Sequence, residues 1–128
     1  MEERTLVSSG SPFAAAIGFS RAVRRGNIIA AAGTAPLAAD GSTEAPGDVY
    51  RQARRCFEIV ADAIAQAGGS LRDVVRTHVM LTDISQWQES VNTDITPGGD
   101  WFSDNVTWVT LLFLGIVASI VIGFFVRW

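Results

Sequence analysis

The chain has 128 residues, a formal net charge of −3 and a pI of about 5.0. That balance argues against nucleic acid as a partner. All ten basic residues are arginine, and the single cysteine, Cys56, excludes an internal disulfide.

Residues 1–12 are polar and rich in Ser and Gly, and read as a loose arm with no basic and apolar leader pattern. Phe13–Val23 and Ile28–Ala35 are small and apolar, and Gly26-Asn27 between them predicts a β-hairpin. A helix is expected after Pro46-Gly47, with Asp48 as N-cap. Val49, Ala53, Cys56, Val60, Ala63 and Ala67 lie on one helical face, widened by Ile59 and Ile64, and Gly68-Gly69 supplies the stop. Val74–Thr82 alternates as a strand, with Val75, Thr77, Val79 and Leu81 on the more apolar face. Trp87–Val91 begins a second helix, which Thr96-Pro97-Gly98-Gly99 breaks.

From Val106 to Val126 the chain carries no charged side chain. As a helix this run would rise about 31 Å, close to the roughly 30 Å hydrocarbon core of a bilayer. It is therefore expected to be a transmembrane helix, with Trp101, Trp108, Arg127 and Trp128 at the membrane interfaces. Gly115, Ser119 and Gly123, with Ala118 beside them, form a small-residue stripe suited to helix packing. Arg127 alone favours a cytoplasmic C-terminus. The difficulty of exporting a folded domain without a leader favours a cytoplasmic N-terminal domain, and that orientation is the one expected, at a bacterial inner membrane.

The stretches GFSRAVRRGNIIAAAGTAP and GDVYRQARRCFEIVADAIAQAGGSLRDVVRTHVMLTDISQWQE resemble the Rid family of enamine/imine deaminases. The resemblance implies a chorismate-mutase-like α+β fold and a homotrimer with active sites at subunit clefts. It implies hydrolysis of short-lived imines without metal or cofactor. It also implies two further strands after the second helix, one with an Arg for the substrate carboxylate and the last with an acid that positions water. No residue here matches either, and the first-strand aromatic often found as Tyr is Phe19. The expected organisation is an arm (1–12), a Rid-like domain lacking its last strands (13–91), a linker (92–105) and a membrane helix (106–126). The missing strands would leave an open sheet edge for a partner to cover.

Two functions are open on these grounds. One is a non-catalytic, single-span accessory subunit of a larger membrane complex, respiratory or photosynthetic, held by the helix, the open edge and the lipid bilayer. The other is a membrane-tethered, trimeric enamine/imine deaminase using Arg76 or His78 as substitutes. No catalytic, cofactor-binding or metal-ligating set is assigned. Cys56 reads as buried packing. Arg21, Arg24, Arg25, Arg51, Arg54 and Arg55 read either as solvated surface or as a basic patch for headgroups or an acidic partner.

Overall fold

A computed structural model describes residues 3–91 and 121–127. The order is β1 (Arg4–Val7), α1 (Ala14–Ile17), β2 (Ala22–Arg25), β3 (Ile28–Ala31), α2 (Val49–Gln66), β4 (Val74–Met80), α3 (Trp87–Val91) and β5 (Val121–Arg127). The sheet order is β1-β2-β3-β5-β4, and every described pairing is antiparallel.

The hairpin forms around Gly26-Asn27 with shorter strands than expected, because Ala14–Ile17 of its first apolar run make the helix α1. Arg25 pairs with Ile28, and Gly26 at φ +57° supplies the positive φ that a two-residue turn needs at its first position. Arg4–Val7, expected within a loose arm, instead adds an edge strand to β2, with Leu6 opposite Val23.

Helix α2 begins where the Asp48 carboxylate accepts from the Arg51 backbone N–H at 2.9 Å. It ends in a Schellman arrangement. Gly69 N–H donates to Ile64 O at 2.9 Å, Gly68 N–H donates to Ala65 O at 2.9 Å, and Gly68 has φ +81°. Ala53, Cys56, Phe57, Val60, Ala63 and Ile64 bury one face of α2 in a core with Val7, Ala22, Ile29, Val74 and Val79 of the sheet.

Strand β4 departs from simple alternation. Its register with β5 shifts between Val74 and Arg76, a β-bulge. Val75, expected on the apolar face, is therefore half exposed, while Val74, Thr77 and Val79 are buried.

The largest difference lies at the C-terminus. Val121–Val126, expected as the end of a membrane helix, belong to strand β5, which fills the slot between β3 and β4. The expected edge facing that slot is thus paired. Gly123 stands opposite His78 in the β ladder, so it is not part of a helical packing stripe, and Arg127 stands opposite Ile28. The physical reason is an ambiguity of pattern. A strand with neighbours on both sides reads as a continuous apolar run, as a buried helix does. Among the described residues no helix is long and apolar enough to cross a membrane. Trp101, Trp108, Gly115, Ala118, Ser119 and Trp128 lie outside the described residues.

Candidate functional site

The sheet has two unlike faces. One packs on α2. Alternation along the strands places Arg4, Leu6, Val23, Arg25, Ile28, Ala30, Arg76, His78 and Met80 at positions of the other. On that face Leu6 is 51% exposed and Ile28 39% exposed, so apolar area is left uncovered beside arginines.

Arg76 and His78, the two substitutes considered for a hydrolytic role, are brought together here. They are alternate residues of β4 and share this face. Arg76 is exposed. His78 is half-buried, and its Nε2 is a buried atom with no hydrogen-bond partner among the described residues. A buried, unpaired ring nitrogen is costly, so this imidazole is the polar group on the face most in need of a partner.

The six arginines considered as one patch are split into separate environments. Arg51 pairs with Glu44 at 2.9 Å and Arg54 with Glu58 at 3.2 Å. Arg55 donates to Leu37 O at 2.8 Å and lies 3.5 Å from Glu58. Arg24 donates to Ala67 O at 3.1 Å at the C-terminal end of α2, where a cation complements the helix dipole. Arg25 sits on the uncovered sheet face. Arg21 turns inward, donating from Nη1 to Thr34 Oγ1 at 3.3 Å.

Thr34 joins Arg21 to Cys56, a link with no local signature in the sequence. Its hydroxyl also donates to Ala32 O at 3.1 Å, and its carbonyl accepts from Cys56 Sγ at 3.3 Å. Burial pushes the Cys56 thiol up from 9.0 to about 12, against the opposing pull of Arg21 and Arg55. The thiol is therefore neutral and unreactive in the folded protein at pH 8. A thiol reagent such as Ellman's should leave the native protein unmodified at pH 8 and titrate one thiol per chain in denaturant. Because the folded form holds its proton to higher pH than the unfolded form, this group favours folding fully below about pH 9. Its contribution is lost as pH rises toward 12. Prompt native labelling at pH 8 would contradict the buried placement.

Among the described residues no group of three or more His, Cys, Asp or Glu could hold a metal ion.

The model of the family described as Endoribonuclease L-PSP matches residues 9–96. An uncharacterised protein of Streptomyces coelicolor is 39% identical over 75 residues, which is 59% of this chain and 55% of that protein. A 3-aminoacrylate deaminase of Acinetobacter baylyi is 34% identical over 62 residues, 48% of this chain and 49% of that enzyme. The chain thus spans about half the length of these relatives. Among solved structures, a YjgF-family protein of Mycobacterium tuberculosis superposes with a TM-score of 0.73 at 31% identity, covering 98% of this chain and 99% of that one. A putative endoribonuclease of Thermotoga maritima superposes with a TM-score of 0.75 at 20% identity, covering 95% and 91%, and shares the fold. With the family match over most of its length and the α+β topology in agreement, the chain belongs to the Rid/endoribonuclease L-PSP family.

Proposed function

We propose that this chain is a Rid-type domain that works by docking on a partner assembly and has lost the family's hydrolytic chemistry. The observation that carries the reading is the composition of β5. The resemblance assigns a water-positioning acid to the last strand, and Val121–Val126 contain no ionisable residue. Phe19 lacks the hydroxyl of the usual Tyr, and no Arg lies between Arg76 and Arg127 to hold a substrate carboxylate. Without the family's Arg to fix the anion and its acid to orient water, the positioning and proton transfer that the resemblance implies are not supplied at those positions. What remains is a sheet face with uncovered Leu6 and Ile28, suited to association. The membrane part of this reading rests on the sequence alone, on the apolar run after Val106 and the tryptophans near it. In it the partner is a larger membrane complex.

The test is ammonia release from a 2-aminoacrylate-type imine by the purified full chain, beside mild-detergent extraction of the membranes. A rate equal to buffer, with a complex co-migrating on extraction, is the expected result. Catalysis above buffer overturns the loss of chemistry, and migration alone overturns the docking role.

A tethered imine deaminase is favoured by one observation, the unpartnered Nε2 of His78 on the same face as Arg76. Under that reading ammonia release is measurable and is abolished in Arg76→Ala.

A further inference from the structure

Helix α2 presents Arg55, Ile59, Asp62 and Gln66 as one stripe at helical spacing. Facing it are the Ser8–Gly10 turn and the Leu37–Gly41 loop. They enclose a groove of about 390 Å³, into which Arg21 also projects. We infer that this groove binds a small monocarboxylic acid with a short apolar body, its carboxylate held by Arg21 with Arg55 beside it.

Four features select that class. First, Arg21 is half-buried, and among the described residues its guanidinium has one hydrogen bond, to the neutral Thr34 hydroxyl. A guanidinium carries five N–H donors in a planar fork that matches a carboxylate. A half-buried cation that makes no ion pair among the described residues is costly, so a bound anion is favoured there. Second, Arg55 is only loosely compensated, because its 3.5 Å contact to Glu58 is shared with Arg54. Third, the groove also holds Asp62, so two cations face one carboxylate and the balance suits a monoanion better than a phosphate dianion. Fourth, Leu37, Ile59 and Ala63 give the groove an apolar wall for a short hydrocarbon body. The Ser9 hydroxyl, which accepts from the Ser11 N–H at 3.2 Å, keeps its own proton to donate to the ligand.

Arg21 and Arg55 both line the groove, and Arg21 is fixed there by its hydrogen bond to Thr34. The site is separate from the sheet face that carries Arg76 and His78.

The probe is butyrate, titrated into the full chain by calorimetry or amide chemical shifts, with inorganic phosphate in parallel. One saturable site per chain is expected, with butyrate tighter than phosphate. Arg21→Gln should weaken butyrate about tenfold or more, the scale of losing charge-assisted hydrogen bonds. Asp62→Asn, an exposed change, should tighten it by removing a like charge. No saturable butyrate binding, phosphate binding as tight as butyrate, or affinity within twofold of wild type in Arg21→Gln overturns the assignment. Should Arg21→Gln fail to fold, Asp62→Asn decides: tighter binding supports the site, and unchanged affinity overturns it.

Discussion

Replacing Phe57 with alanine is expected to destabilise the domain by about 3–5 kcal/mol, the range for truncating a fully buried aromatic. Phe57 is 0% exposed and is among the largest wholly buried side chains of the core. It lies on α2 with Cys56, Val60 and Ile64, in the cluster that also holds Ile29 and Val79 of the sheet. The cost combines lost transfer free energy with a cavity that a rigid sheet cannot close. Domains of this size hold roughly 5–15 kcal/mol in total, so the variant should sit near the edge of folding. Urea unfolding followed by far-UV circular dichroism reads this as a large fall in midpoint at an unchanged slope. Glu58→Ala is the control one residue away. Its ion pairs with Arg54 and Arg55 are exposed, and such pairs are worth about 0–1 kcal/mol. Equal losses in the two variants would mean that α2 does not present Phe57 to the core.

Helix α2 was the most legible element, because its signals are local. Asp48, the three-and-four spacing and the Gly68-Gly69 stop all sit within one stretch, and the structure uses each of them. The face was nonetheless too narrow. Gln52 and Phe57 are buried as well. Gln52 is buried because its amide donates to Ala45 O at 3.1 Å, in the turn where Ala45 takes φ +39°. Alternation in β4 failed at Val75 because a bulge changes phase without any marker in composition. The groove shows a different limit. Arg21, Thr34 and Cys56 are far apart in the chain; the hairpin brings Arg21 to Thr34, and the packing of α2 across it adds Cys56. Periodicity reports which face is apolar, and it carries no information on which polar groups meet.

Phe124→Pro is the second large effect, and it separates the two fates of the apolar run. In the sheet, position 124 pairs with Thr77 on β4, and β5 is hydrogen-bonded on its other side to β3. Proline removes the backbone donor, fixes φ, and is tolerated in sheets only at edges and bulges. Leaving buried ladder groups unpaired costs about 1–3 kcal/mol each, so a loss of at least about 2 kcal/mol is expected for the whole domain. The loss should propagate, because β5 lies between β3 and β4 and pairs with both. Hydrogen exchange should then show faster amide exchange in β3 and β4 of the variant, the two strands that flank β5. If 121–126 instead end a membrane helix, proline would kink that helix and leave exchange in β3 and β4 unchanged. The same residues cannot serve both structures at once, because each peptide N–H bonds either along its own helix or across to a neighbouring strand. Protection of β3 and β4 amides therefore reports directly which partner the C-terminal segment takes.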